Sequence, residues 1–187
     1  RPDLHDATFR YWALSPATPS PDLPRCVRAE SFTAHDLPAA WQWCDPRDRG
    51  TVTSGADLEI HAAEGCDLWH LNFTASRLLT TLDGDFAIQA TCAPATCGLP
   101  MGGLCLWGDT GNFLRLDRGA LGPGEVSLMG CITTQDCMVG RGRLPGSTVT
   151  LRLERQGIHV RGLCSVDGQI WWLVGECEWP WQGCVAA

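Results

Sequence analysis

Short segments in which apolar and polar residues alternate, separated by turn residues, constrain the fold of this chain most. The clearest segment is 148–155, where apolar residues alternate with polar ones: Val149, Leu151 and Leu153 with Thr150, Arg152 and Glu154. Successive side chains of a strand point to opposite faces, so one face enters a core and the other meets water or a ligand. Seven further segments are predicted strands: 57–62, 86–92, 103–107, 112–117, 126–131, 158–165 and 170–175. No long segment has helical periodicity, and the pattern predicts an all-β antiparallel sandwich or barrel.

Two hairpins organise the middle and the end of the chain. Residues 107–112 join two strands in which four leucines share one face: Leu104, Leu106, Leu114 and Leu116. The same parity puts five other residues on the opposite face: Cys105, Trp107, Phe113, Arg115 and Asp117. Asp167 and Gly168 supply the turn of the second hairpin.

Length and composition favour one globular domain with an extended arm. The chain has 187 residues, of which 44% are hydrophobic, enough for a single core. Residues 1–24 are predicted to be an extended Pro-rich arm with Phe9, Tyr11 and Trp12, and residues 25–187 the β-sandwich. No apolar run approaches the roughly 18 residues of a membrane span, and a net charge of -7 argues against nucleic acid. All basic residues are arginine, which excludes lysine-dependent chemistry.

The eleven cysteines provide evidence on disulfide bonds and on the cellular location of the protein. Three pairs close in sequence are predicted disulfides: Cys92 with Cys97, Cys131 with Cys137, and Cys177 with Cys184. Zinc is the alternative, but no Cys-x-x-Cys occurs. Cys105 and Cys164 lie in apolar strands and are predicted to be reduced core residues. An odd count leaves at least one free thiol or a bond to another chain.

An N-glycosylation motif supports an exported protein. Asn72-Phe73-Thr74 matches the N-glycosylation pattern, and residues 15–21 form a Ser/Thr/Pro linker. With the cysteines, these features predict an extracellular or secretory-pathway location. A cytoplasmic protein with reduced cysteines is the alternative.

Three motifs in order resemble a known family. They are Trp41-Gln42-Trp43-Cys44-Asp45-Pro46, then 103–107 leading to 112–116, and then Cys164-Ser165-Val166-Asp167-Gly168-Gln169-Ile170-Trp171. Together they resemble the concanavalin-A-like domain of the DUF1349 family, from about Phe32 to Gly183. The resemblance implies a jelly roll of two antiparallel sheets, whose concave side holds sugars in related lectins and glucanases. It does not imply an enzyme.

Catalytic signatures are missing from the sequence. The Glu-x-Asp-x-x-Glu motif of glycoside hydrolases in this fold does not occur, and the acidic pairs at 57–59 and 176–178 are interpreted as solvated strand edges. A site assembled from His61, His70 and His159 is a minor alternative, because no metal-binding spacing occurs. No Gly-x-Ser-x-Gly nucleophile motif and no calcium loop is present. We therefore predict no metal and no cofactor.

After these exclusions, tryptophan is the residue type that most indicates a function. An indole offers a flat apolar face to sugar C–H groups, and its N–H donates a hydrogen bond. Trp107 is predicted to share one face of the sheet with Arg115 and Asp117. One aromatic platform beside a few polar groups is suited to binding a saccharide. The predicted ligand-binding residues are Trp107, Arg115, Asp117, Trp69 and Trp171.

These observations predict a non-catalytic, carbohydrate-binding β-sandwich of lectin type with a glycan as its partner. One alternative is a structural or assembly component, in which the arm and an unpaired cysteine contact neighbouring chains. A second alternative is a hydrolase with an unrecognised site on the concave face.

Overall fold

A computed structural model describes residues 14–21, 23, 37, 39–54, 58–93, 102–181 and 184–186. Within these residues the chain forms strands and turns, and none of it is helical. The strands are β1 (Ser15–Ala17), β2 (Gln42–Cys44), β3 (Thr51–Ser54), β4 (Leu58–His61), β5 (Leu68–Trp69), β6 (Asn72–Phe73), β7 (Arg77–Leu82), β8 (Phe86–Cys92), β9 (Gly102–Asp109), β10 (Asn112–Arg118), β11 (Glu125–Ile132), β12 (Gln135–Arg143), β13 (Val149–Gln156), β14 (His159–Ser165), β15 (Trp171–Glu178) and β16 (Cys184–Ala186). The part of the chain described here holds no helix that is long and apolar enough to cross a membrane.

Two large antiparallel sheets pack face to face. The five-stranded sheet has the order β1-β15-β14-β13-β8, and the seven-stranded sheet has the order β12-β11-β10-β9-β16-β7-β2. Strands β3 and β4 form a separate small hairpin, and so do β5 and β6. The all-β sandwich predicted from the alternation is confirmed.

The core lies between the two sheets, where the alternation places the apolar side chains. Leu151 and Leu153 of β13 are fully buried, and so are Leu114, Leu116 and Leu128 of the facing sheet. Burying a side chain of this size contributes about 2 kcal/mol. The outward residues of the same strands are therefore free to build a surface site.

The predicted strands agree with β4, β8–β11 and β13–β15, with ends that differ by up to three residues. The sequence pattern does not predict the other eight strands of the described residues, of which β7 and β12 are the longest. Strand β12 lies at a sheet edge, carries two glycines and two arginines, and has a bulge opposite Leu128 and Met129. An edge strand buries less of its surface, so its alternation is weak.

The described part of the N-terminal arm folds back onto its own chain. Strand β1 pairs with β15, and the backbone N–H of Ser20 donates to Glu154 Oε1 at 3.0 Å. Leu23 is buried. The arm residues Phe9, Tyr11 and Trp12 lie outside the described residues.

The eight cysteines with described side chains are all thiols. Cys131 and Cys137 do not form the predicted bridge, because Cys137 pairs with Gly130 and Cys131 with Asp136. Adjacent register positions point to opposite faces, so one thiol faces the core and the other faces away. Cys97 and the side chain of Cys184 lie outside the described residues, as does Cys26. Cys105 and Cys164 are buried as predicted, and burial raises the pKa of each to about 12.

Candidate functional site

Four of the predicted site residues lie on the outer face of the seven-stranded sheet. Leu106 and Leu114 form a register pair that points into the core. Trp107, Arg115 and Asp117 therefore point outward, as the parity of the two strands predicted. Trp69 belongs to β5, which lies over this face with Leu68 packed against Cys105 and Phe113.

Arg115 ties the β5 segment to the sheet. Its Nη1 atom donates to Asp67 Oδ1 at 2.8 Å and to the Leu68 carbonyl oxygen at 2.9 Å. Its guanidinium carbon lies 5.6 Å from the centre of the Trp69 ring. The residue is 9% exposed, and both of these hydrogen bonds come from a single nitrogen atom of its guanidinium group.

Asp117 is the second buried charge on this face. Its Oδ1 atom accepts a hydrogen bond from Ser127 Oγ at 3.0 Å. Its Oδ2 atom lies 2.9 Å from Arg115 Nε, yet the N–H is not aligned with the oxygen, and neither atom has a hydrogen-bond partner among the described residues. Burial outweighs the favourable effects of Arg115 and Ser127, and raises the pKa of Asp117 to about 6.

This pKa shift predicts a pH-dependent stability. The unfolded pKa is near 3.9, so the contribution of Asp117 to stability is complete below about pH 4 and is lost as the pH rises through 6. Asp117→Asn cannot ionise and should gain on the order of 2 kcal/mol relative to wild type between pH 4 and pH 7. Urea unfolding at both pH values measures the difference. An equal difference at the two pH values would contradict the assignment.

Trp107 has Arg77 over one face of its indole. The Arg77 guanidinium carbon lies 4.5 Å from the ring centre, and the Phe113 ring lies 5.7 Å away at a 30° tilt. Arg77 is buried, and its Nη1 atom donates to the Ala75 carbonyl oxygen at 2.9 Å. Much of the indole is thus already in contact with protein groups. The sequence did not reveal Arg77, because β7 was not predicted.

Trp171, the fifth predicted residue, lies on the other sheet. Strand β15 pairs with β14 in the five-stranded sheet. Trp171 is buried, and its Nε1 atom donates to the Gly168 carbonyl oxygen at 3.1 Å. Trp171 is one of the residues that line a groove on the outer face of that sheet.

The groove has a volume of about 340 Å³. It lies between the arm and the sheet and is lined by Pro19, Ser20, Pro21, Gln89, Arg152, Gly168 and Trp171. A second hollow, of about 400 Å³, shares Ser20 with it and has Glu154, His159, Arg161, Glu176 and Glu178 among its lining residues. The arm therefore divides a polar surface into two parts.

Glu154 is the centre of this surface. It is buried, and its carboxylate accepts from Arg152 Nε at 2.6 Å and from Arg161 Nε at 2.7 Å. Arg161 also donates to the Thr18 carbonyl oxygen at 2.8 Å, and so fastens the arm. Burial raises the pKa of Glu154, but the hydrogen bonds from Arg152, Arg161 and the Ser20 N–H outweigh it, and the net pKa is lowered.

The three histidines considered from sequence have different neighbours. His61 lies 3.3 Å from Glu59, His70 lies 3.0 Å from Asp136, and His159 lines the second hollow. Among the residues with described positions, no group of three or more His, Cys, Asp or Glu side chains could hold a metal ion.

Asn72, the predicted glycosylation site, is half-buried in the small β5–β6 hairpin. Its Nδ2 atom donates to the Gly65 carbonyl oxygen at 3.0 Å, and its Oδ1 atom accepts from the Thr74 hydroxyl. Glycosylation of this amide stays a prediction.

Comparison with known proteins finds similarity in structure only. No family model matches the sequence, and no curated protein matches it. The fold is similar to the GH43 BlXynB protein from Bacillus licheniformis (TM-score 0.69, 12% identity, covering 84% of this chain and 34% of that chain). It is also similar to a GH43_12 protein retrieved from a capybara gut metagenome (TM-score 0.70, 12% identity, 84% and 33%). A functionally unknown protein from Saccharomyces cerevisiae gives a TM-score of 0.65 at 17% identity, over 79% of this chain and 84% of that chain.

This chain therefore spans about a third of the length of the GH43 proteins. At these identities the likeness shows the fold alone.

Proposed function

We propose that this protein is a non-catalytic carbohydrate-binding domain whose ligand lies in the groove between the arm and the five-stranded sheet. The observation that carries the proposal is the groove itself, with Trp171, Gln89 and Arg152 on its walls. This moves the proposed ligand site away from Trp107, because Arg115 and Asp117 are buried and form an ion pair. Arg115 also contacts Asp67 and the Leu68 carbonyl oxygen. The Trp107 face is kept as the alternative site.

The groove offers the groups that a sugar requires. The exposed Gln89 amide has donors and an acceptor, and the half-buried Arg152 guanidinium has donors that match hydroxyl oxygens. Arg152 Nη1 donates to Gln89 Oε1 at 3.4 Å, so the two side chains are neighbours in the groove. Pro19, Pro21 and Trp171 add apolar residues to the lining. The volume is at the small end of the range for ligand sites.

The carboxylates of this surface support binding over hydrolysis. A glycosidase needs a protonated carboxylic acid and a second carboxylate across the scissile bond. Glu154 accepts from two guanidinium groups, and its pKa is lowered, so it holds no proton to donate near neutral pH. The described residues that line the 340 Å³ groove include no carboxylate.

The comparisons support the carbohydrate part of the proposal. Two of the similar structures are GH43 proteins, and the order of the sequence motifs favours a concanavalin-A-like domain of the DUF1349 type. We infer that the protein is a domain of this type, and we propose an extracellular or secretory location on the grounds given by its sequence.

Glycan binding by the full chain tests this function. Wild type is expected to bind at least one sugar on an array of neutral and acidic oligosaccharides, and calorimetry with that sugar then compares variants. Gln89→Ala should weaken binding about tenfold, because a sugar hydroxyl loses its partner. Gln135→Ala, an exposed glutamine on β12, is the matched control and should bind like wild type.

Two outcomes would contradict the proposal. Wild type that binds no oligosaccharide on the array would remove the function. Loss of binding in Trp107→Ala with normal binding in Gln89→Ala would move the site to the outer face of the seven-stranded sheet.

A further inference from the structure

The two sheets come into backbone contact at one edge of the sandwich. Strand β12 of the seven-stranded sheet packs against β15 of the five-stranded sheet. A Cβ atom built on Gly140 would lie 1.9 Å from the Val174 carbonyl oxygen, and one on Gly175 would lie 3.1 Å from the backbone of Val139 and Gly140. These two glycines allow the strands to approach much closer than the usual ~10 Å between stacked sheets.

The contacts also fix how the two strands are aligned. Gly140 faces Val174, and Val139 faces Gly175. The two strands therefore run in opposite directions where they meet. Continued in the same direction, the alignment places Cys137 opposite Cys177. Neither residue is close to the other in sequence, and only the packing of the sheets reveals the pair.

Both cysteines point into the space between the sheets. Cys137 pairs with Gly130, which in turn pairs with the core residue Leu114. Cys177 pairs with Val160, a core residue that is 1% exposed. Both half-buried cysteines pack against the same core cluster. The two thiols thus reach the same region from opposite layers.

We propose that Cys137 and Cys177 form a redox pair that closes to a disulfide between the two sheets. A low-molecular-weight disulfide such as oxidised glutathione is the oxidant. The thiolate of one cysteine attacks a glutathione sulfur, forms a mixed disulfide and releases one reduced glutathione. The second cysteine then displaces the remaining glutathione as a thiolate, and each cysteine loses its proton to solvent. Two protein thiols are oxidised and one glutathione disulfide is reduced.

The surroundings indicate how such a bond behaves. Burial raises the pKa of Cys177 to about 12, with a further contribution from the nearby Cys137. A low thiolate fraction slows formation of the bond, and a thiol of high pKa is a poor leaving group, which slows its reduction. The bond is therefore expected to form slowly and to persist, as a structural disulfide does.

This pairing competes with the two pairs that sequence distance favours. Cys131 points away from the core, so it lies on the opposite face of the sheet from Cys137. The predicted bond between Cys177 and Cys184 uses a cysteine that our pairing assigns to Cys137. One experiment distinguishes the three pairings.

The experiment oxidises the full chain in glutathione redox buffer, alkylates the remaining thiols and digests the protein with trypsin without reduction. The expected product is a disulfide-linked pair of the peptides 119–141 and 162–187. The linked pair should disappear in Cys137→Ser and in Cys177→Ser. It should remain in Cys131→Ser and in Cys184→Ser, which carry matched substitutions in the same two peptides.

Stability provides a second readout. The bond closes a loop of about 40 residues, and oxidation should raise the melting temperature of wild type by about 10 °C. The rise should be lost in Cys137→Ser and kept in Cys131→Ser. A linked peptide pair that persists in Cys137→Ser or Cys177→Ser, or wild type that keeps both thiols in the oxidising buffer, would overturn the proposal.

Discussion

Glu154→Gln is expected to lower the free energy of unfolding by about 3 kcal/mol and to abolish glycan binding. The substitution keeps the shape of the side chain but removes the charge that holds two guanidinium groups. The Arg152 and Arg161 side chains are 15% and 30% exposed, so water compensates only part of the loss. Because Arg161 and Glu154 also hold Thr18 and Ser20, the arm should leave the sheet and the groove should open. Urea unfolding and calorimetry with the array-selected sugar measure the two effects.

Glu176→Gln is the matched control. Glu176 lies on the same face of the sheet, opposite Arg161, but it is exposed. An exposed charge pair is worth about 0.5 kcal/mol, so this variant should unfold much like wild type. Equal losses of stability in the two variants would show that Glu154 has no special role in fastening the arm.

The two faces of β13 show which contacts the sequence pattern predicts and which it does not. Alternation alone separated Leu151 and Leu153 from Arg152 and Glu154, and the structure confirms this division. The contact from Arg152 to Glu154 follows from their spacing, since residues two apart on a strand share a face. The contact from Ser20 spans 134 positions and depends on where the arm lies on the sheet. No local pattern carries that information.

The tryptophans show what the alternation of side chains along a strand does not predict. Parity correctly placed Trp107 on the outer face of its sheet, but it did not predict that β5 would cover part of that face. Parity also cannot assign a strand to one sheet or the other. Trp171 joins the five-stranded sheet through the pairing of β15 with β14, and it therefore lies far from the partners that the sequence grouped with it. Burial of Arg115 and Asp117 is likewise a property of the covering segment.

The cysteines show a related limit. Sequence distance favoured Cys131 with Cys137, since six positions are easily bridged in a hairpin. The register of β11 and β12 turns the two side chains to opposite faces. Partners across a sandwich are set by how two sheets pack, and here that depends on the two glycines that let β12 approach β15.

Gly140→Ala is therefore expected to be among the most damaging single substitutions in the chain, with a loss of about 3 kcal/mol or more. The added Cβ would lie 1.9 Å from the Val174 carbonyl oxygen, and the atom it meets is backbone, which cannot rotate away. One of the two strands must move, and the core residues behind the contact, including Val174, would then lose packing.

Gly102→Ala is the matched control, because its Cβ would meet nothing within 4 Å. Alanine also restricts the unfolded chain, so the free energy of unfolding should stay equal or rise by about 0.5 kcal/mol. Urea unfolding compares the variants, and a loss below about 1 kcal/mol in Gly140→Ala would mean that the two sheets do not meet in backbone contact at this edge.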